Sequence, residues 1–395
     1  MAAVSSIAGV SSAPNFRAVT AATAKSPDEP FAATDVELRE PRQHELLVKV
    51  AATGICHTDV MTKAKGLCEF PIVLGHEGAG IVERVGDSVK DFVPGDHVIM
   101  TYDFCGDCAH CDAGKPSYCV DHGSLNFAGT RPDGERTHRT PGSGEADIHG
   151  SFFQQSSFAT YSLAHESNVV KVDKDLPLSV LAPLACGVQT GAGTVMNTLE
   201  VEAGASLGVF GCGCVGLSAV MAAKVEGAAA IVAVDLNPKR LEMARELGAT
   251  HAFNPKDFPD RDELLAAIAE VAPGGLNYAI DTTGVPTVLR QAFDSCGPRG
   301  VTAMIAPGVP GTEVTVEMMG LLPGKSLRGV IQGDSVSKTF IPKLIDLWQQ
   351  GSFPFDKLVT TFDSIDSIDD AVNAMSSGEV IKPVVVIDAS AGDSQ

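Results

Sequence analysis

The sequence predicts an α/β protein of two domains, a β-rich domain and a doubly wound parallel sheet. Three observations predict it. Residues 16 to about 187 are rich in short alternating strands and glycine turns, such as "ELLVKVAATG" and "GIVERVG", the pattern of a β-rich unit with long loops. From residue 188 strands and helices alternate, which means parallel strands joined by crossover helices. After about residue 331 come a helix, a short strand, a helix and a final strand, "KPVVVID", expected to return to the first domain. The expected boundaries are 1–15 as a flexible tail, 16–187 with 332–395 as the β-rich domain, and 188–331 as the α/β domain.

The opening "MAAVSSIAGVSSAPN" is small and weakly polar. It lacks the basic start and continuous apolar centre of a secretory signal and reads as a flexible tail, with an organellar address left open. "GTRPDGERTHRTPGSGEADIHG" is a polar loop. In the second domain "ASLGVFG" is a buried strand, "VGLSAVMAAKVEG" a helix and "AIVAVD" the next strand. "NPKRLEMARELGA" is a helix with Asn237 as N-cap and Gly248 as its stop, since a short polar side chain caps and glycine ends helices. "LNYAID", "PTVLRQAFDSCG" and "GVTAMIA" continue the alternation, and "SKTFIPKLIDLWQQG" is the helix that follows.

Among 395 residues, 44% are hydrophobic and 20% charged, with a net charge of −20. That charge argues against nucleic acid and anionic membranes, both of which need a basic surface. No apolar run approaches the length of a membrane span. Ten cysteines without a signal peptide indicate a reducing, cytoplasmic setting in which clustered thiols bind metal.

Three constellations carry chemistry. "GCGCVG" places Gly211, Gly213 and Gly216 between a predicted strand and a predicted helix, with Asp235 ending the next strand 19 residues after Gly216. Glycines there let a pyrophosphate approach a helix N-terminus, and the carboxylate takes the adenosine ribose. Asp235 repels a 2′-phosphate and so favours NAD; Arg240 keeps NADP open. "CGDCAHCDAGKPSYC" spaces Cys105, Cys108, Cys111 and Cys119 by three, three and eight, which suits a closed tetrahedral zinc site. An iron–sulfur cluster is the rival, but its usual run has a shorter last gap and a proline after it; here Val120 follows. Finally, "GICHTD", "GHE" and "LACGVQT" supply Cys56, His76 and Cys186. Two thiolates and an imidazole leave a fourth zinc position for water or substrate, the pattern of a catalytic site.

"GHEGAGIVERVGDSV", with Cys56, His76, Cys186, the cysteine loop and the glycine turn in this order, resembles the medium-chain, zinc-dependent alcohol dehydrogenases over about residues 17–388. "GSFFQQSSFATY" and "RGVIQGDS" resemble the benzyl or aryl-alcohol branch. The resemblance implies a GroES-like catalytic domain, a Rossmann coenzyme domain, two zinc ions per subunit, a homodimer or homotetramer, and reversible hydride transfer between an alcohol or aldehyde and NAD. It implies Thr58 as the first hydroxyl of a proton relay. Asp59 and Glu77 would orient ligands, and Lys382 would pair with Asp59 or with the cofactor phosphates. Thr101, Phe152 and Phe153 would shape an apolar substrate pocket that suits an aromatic or allylic primary alcohol. Met61 stands where many relatives carry the histidine that ends the relay, so the relay ends in solvent or at His57, whose family position otherwise faces the pyrophosphate. The alternatives are a glutathione-dependent formaldehyde dehydrogenase or polyol dehydrogenase of the same superfamily and, in another class, a non-catalytic zinc-binding protein.

Overall fold

The computed structural model describes residues 16–390; the expected tail, 1–15, lies outside the described residues. Three sheets organise the chain. The first has the order Ile72–Val73, Phe16–Ala24, Ala32–Arg39, His138–Arg139. The second runs Val359–Asp363, Lys382–Val386, Glu45–Gly54, Gly78–Val85, His97–Met100, Val169–Val172, with Tyr161–His165 paired on Glu45–Gly54. The final strand, Lys382–Val386, lies antiparallel to Glu45–Gly54, so the last segment closes the first half of the molecule across more than 300 residues of chain.

The third sheet is parallel throughout. Its order is His251–Phe253, Ala230–Val234, Ser206–Phe210, Leu276–Asp281, Cys296–Met304, Ser326–Gly329. The chain starts in the middle, winds outward one way, then returns to wind the other way. That reversal leaves a crevice at the carboxyl ends of the central strands, where dinucleotides bind in such folds. Asn237 caps the helix Pro238–Leu247 through its side chain, and Gly248 ends it at φ 134°. Both expected helix signals therefore work through the backbone groups they were expected to satisfy.

One apolar core runs through the seam between the two halves. It joins Ala51, Ala52 and Ile99 to Val188, Leu207 and Leu217, and takes in Phe340, Ile341 and Val384 from the C-terminal segment. Among the described residues no single helix is long and apolar enough to cross a membrane. One bent pair, Leu178–Ala185 with Gly187–Thr198, passes by composition alone and turns by 55°. Almost all of that pair is buried at the seam, and it carries Cys186 at its bend.

Candidate metal centres and dinucleotide turn

Cys105, Cys108, Cys111 and Cys119 bring four sulfurs within 4.8 Å of one another. Three of the S···S edges are 3.4, 3.6 and 4.0 Å. A tetrahedron with zinc–sulfur bonds of about 2.3 Å has edges of about 3.8 Å, so these four residues fit one zinc. Backbone N–H groups aimed at sulfur, first that of Val120 and then that of Cys111, hold the Cys108 thiol down at about 6. The short helix Ala109–Asp112 and the turn Pro116–Tyr118 shape the loop.

The second centre is assembled from distant segments. Cys56 is the N-cap residue of the helix His57–Ala64. His76 and Glu77 lead into the strand Gly78–Val85, and Cys186 caps the helix Gly187–Gly193. Their donor atoms lie within 4.8 Å of one another. Asp59, wholly buried, organises two of them. One of its oxygens accepts from the Cys56 N–H at 3.0 Å; the other accepts from the Gly75 N–H at 3.1 Å and from His76 Nδ1 at 2.9 Å. This leaves His76 Nε2 buried without a hydrogen-bond partner, facing two thiols. A buried orphan of this kind costs free energy unless something fills its place. The thiols point the same way. Cys56 is held well below the usual thiol range, first by a hydrogen bond from Cys186 and then by His76; Cys186 is pushed up by that same bond and by burial. Two thiolates share this space only with a cation between them, so the residues fit a zinc ion.

Glu77 belongs to the same cluster, closer in than its expected place behind the ligands. Its carboxylate accepts from the Gly187 N–H at 3.2 Å and pairs with Lys382 Nζ at 2.5 Å. Lys382 is 2% exposed and also donates to the Ile55 carbonyl. The expected pairing of Lys382 with Asp59 or with cofactor phosphates is therefore corrected. Lys382 is buried against Glu77, because the register of Lys382–Val386 on Glu45–Gly54 brings its ammonium under Ile55. Burial pulls the Lys382 ammonium down, but Glu77, Cys214 and Cys56 outweigh it and it stays charged. Burial pushes the Glu77 carboxyl up against the pull of Lys382. The direct ion contact decides for the charged pair. Even Gly54 is fixed by this arrangement, since a Cβ there would stand 2.1 Å from Glu77 Oε2.

Thr58 Oγ1 lies 3.7 Å from the Cys56 sulfur, and His57 is exposed. The expected pocket residues sit otherwise than expected. Thr101 is 1% exposed. Its hydroxyl donates to the Ala185 carbonyl at 2.6 Å and accepts from Gln189 Nε2 at 2.8 Å, so it braces the Cys186 segment instead of widening a pocket. Phe152 and Phe153 are 0% and 3% exposed. They pack on the His76 ring at 5.7 and 4.6 Å between centroids. A cavity of about 590 Å³ is lined by Leu67, Cys68, Phe127, Arg136 and His149, and Phe127 lies 5.2 Å from Phe153.

Two glutamines were not singled out from the sequence. Gln155 donates to the carbonyls of His76, Met100 and Thr101 and accepts from the Gly78 N–H. Gln189 ties Thr101 to Ser335 and Ser337. The polar "FFQQSS" between apolar strands was the available signal for the first. The same segment carries positive φ at Phe153, Gln154 and Ser156.

The glycine turn has the geometry of a phosphate cradle. Gly211 has φ 95°. A Cβ on Gly216 would stand 1.9 Å from the Gly211 carbonyl, whereas one on Gly213 would meet nothing within 4 Å. The third glycine thus serves close strand–helix packing, and the second leaves open space beside the N-terminus of the helix Cys214–Val225. Asp235 accepts from the N–H groups of Cys212 at 2.6 Å and Asn237 at 2.8 Å. Arg240 is partly buried and its Nε has no partner. Cys214 touches both sites: its sulfur would be 3.1 Å from a Cβ on Gly187, the residue after Cys186.

Residues 42–174 match the family model "Alcohol dehydrogenase GroES-like domain", and residues 214–350 match "Zinc-binding dehydrogenase". Geraniol dehydrogenase of Castellaniella defragrans is 40% identical over 374 residues, covering 94% of this chain and 98% of that protein. Among solved structures, an alcohol dehydrogenase zinc-binding domain protein from Burkholderia ambifaria is 46% identical with a TM-score of 0.90, covering 94% of this chain and 100% of its own. Benzyl alcohol dehydrogenase from Acinetobacter calcoaceticus is 41% identical with a TM-score of 0.89, covering 94% and 99%.

Proposed function

The chain belongs to the zinc-dependent medium-chain alcohol dehydrogenases, and from that premise we propose that it oxidises primary alcohols flanked by an aromatic ring or a double bond, with NAD as hydride acceptor. The observation that carries the reading is the orphaned, buried His76 Nε2 facing two thiols, one residue from contact with the dinucleotide helix through Gly187 and Cys214. Cys56, His76 and Cys186 hold one zinc, Cys105, Cys108, Cys111 and Cys119 a second, and the Gly211–Gly216 turn the dinucleotide. When bound, the zinc lowers the pKa of an alcohol and the nicotinamide accepts its hydride.

The chain's own residues do the rest. Asp59 fixes His76 with its Nδ1 protonated and Nε2 free. Thr58 takes the proton released by the alcohol. Met61 offers no acceptor for it, so the proton passes to solvent or to exposed His57. Lys382 keeps the Glu77 carboxylate neutralised, so that two thiolates and a third anion coexist in a buried space.

Asp235 at the end of the strand Ala230–Val234 supports NAD over NADP, because a 2′-phosphate would meet its charge. The relatives named for geraniol and benzyl alcohol support an allylic or aromatic substrate. The exposed edge strand Ser326–Gly329, with Met318, Met319 and Leu322 at 85%, 67% and 75% exposure, supports a homodimer or homotetramer, since bare strand edges and apolar patches invite a partner. Ten free cysteines support a reducing, cytoplasmic compartment.

The test is kcat/KM for benzyl alcohol, cinnamyl alcohol, ethanol and sorbitol, with NAD and with NADP, and for formaldehyde with glutathione. Apolar walls discriminate by about 1–3 kcal/mol per methylene, so several benzylic and allylic alcohols are accepted. Ethanol, sorbitol or the glutathione adduct beating both aromatic alcohols overturns the substrate assignment.

A further inference from the structure

Between the outer strand Ser326–Gly329 and the helix Ser337–Gln349 the chain makes a turn in which Gln332, Gly333 and Asp334 have φ of 52°, 63° and 52°. Two residues with side chains hold the left-handed region there, at 8% and 5% exposure. Such strain persists only where the surroundings over-determine it, and it gathers at functional sites. Here the surroundings are explicit. The Gly333 carbonyl accepts from Asn197 Nδ2 at 3.2 Å and stands 2.4 Å from where a Cβ on Gly193 would be. Asp334 accepts from Arg328 at 3.1 Å and from the hydroxyl of Tyr118, the residue before Cys119. The Gln332 amide bridges two residues: Oε1 accepts from Thr190 Oγ1 at 3.2 Å, and Nε2 faces the Cys186 sulfur at 3.9 Å.

We infer that this strained turn is a positioning device for Cys186, in which Gln332 donates an N–H to the sulfur and the four-cysteine loop anchors Gln332 through Tyr118 and Asp334. A glycine at 332 would relieve the strain; an amide donor is what glycine lacks. An N–H aimed at sulfur stabilises the thiolate and fixes its direction, and groups behind metal ligands are worth roughly 10–100-fold in metal affinity or activity. The inference rests on Cys186 being a zinc ligand. It gives the cysteine loop a second task, since one hydroxyl in that loop steadies a ligand of the other centre.

The test uses the full chain with zinc kept in the four-cysteine site and cobalt in the other. The readouts are the thiolate-to-cobalt absorption band and the loss of cobalt to a chelator. Cys186→Ser comes first and changes the band; an unchanged band removes the ligand assignment and the inference with it. Gln332→Glu keeps the size of the side chain and the oxygen facing Thr190 but loses the donor, and Gln332→Met loses both polar atoms. Both shift the band and weaken cobalt retention by roughly 10–100-fold, lowering kcat more than they raise KM. Tyr118→Phe shifts the band in the same direction by less, with the four-cysteine zinc retained. A wild-type band in the folded Gln332 variants, or in Tyr118→Phe, overturns the inference.

Discussion

The two cysteine clusters are built on opposite plans. One takes all its sulfurs from the fifteen residues Cys105–Cys119, lies in a loop, and leaves three of the four cysteines partly exposed. The other gathers ligands 20 and 110 residues apart, and its histidine is fully buried. The loop is shaped by one short helix and one turn, so metal binding there contributes to folding free energy. The buried centre is held open by groups that bind no metal: Asp59, Lys382, Gln155 and Gln189. The fold supplies that centre's geometry in advance, which is what a site needs if it is to keep one position free for substrate.

The sharpest break of this contrast is a matched pair of substitutions. Cys186→Ala lowers alcohol oxidation by roughly 10³-fold or more, the loss of several kcal/mol of charge stabilisation. It leaves a folded protein that still binds NADH, measured by circular dichroism and nucleotide fluorescence. Cys108→Ser does the reverse. It lowers the thermal midpoint by roughly 5 °C or more, while turnover per folded molecule stays within about tenfold. If the two variants exchange these phenotypes, the division of labour is wrong. Thr58→Ala comes next. It slows oxidation by roughly 10²–10⁴-fold, the worth of positioned proton transfer, with zinc content unchanged; Thr58→Ser largely survives. Near-normal turnover in the alanine variant, with hydride transfer limiting, takes Thr58 out of the relay.

Asp59 tests whether preorganisation is real. Its two oxygens accept from three N–H groups, so Asp59→Asn turns one acceptor into a donor facing donors. Metal retention at the buried centre drops roughly 10–100-fold, and the four-cysteine site keeps its metal. Equal loss from both sites, followed by metal analysis during dialysis against chelator, would mean that the variant is merely less stable.

How much of this was legible in the sequence follows from the same contrast. The cysteine loop and the glycine turn could be read because their geometry is local: spacing along the chain sets spacing in space. The ligands Cys56, His76 and Cys186 were legible as residue types, and the resemblance joined them. What supports them was not. Lys382 meets Glu77 because of a strand register set across more than 300 residues, and Gln189 reaches Ser335 and Ser337 across the seam. The resemblance implies Thr101, Phe152 and Phe153 on a pocket wall, from their positions in the family pattern. Burial was decided by what packs on them, Gln189 and Phe127, and no local pattern encodes that.

The smallest effect separates the clusters from the rest of the acid response. Both centres lose metal as their thiolates protonate, so falling stability at low pH would be credited to them. His138 contributes without any metal. It sits in the short strand His138–Arg139, 1% exposed, and burial, helped by the charge of Arg131, pushes its pKa down to about 4. In the unfolded chain the ring protonates near 6.5. Between these values the unfolded state binds the extra proton, so stability is complete above the unfolded value and is lost as pH falls toward 4. At pH 5.5 the loss is about 1.4 kcal/mol, one pKa unit of differential protonation. His138→Gln removes the titration and keeps a polar side chain. Its denaturation free energy falls less than that of the wild type between pH 7.5 and pH 5.5, by about 1.4 kcal/mol. Curves that stay parallel would mean that the buried ring of His138 is protonated in the folded chain as readily as in the unfolded one.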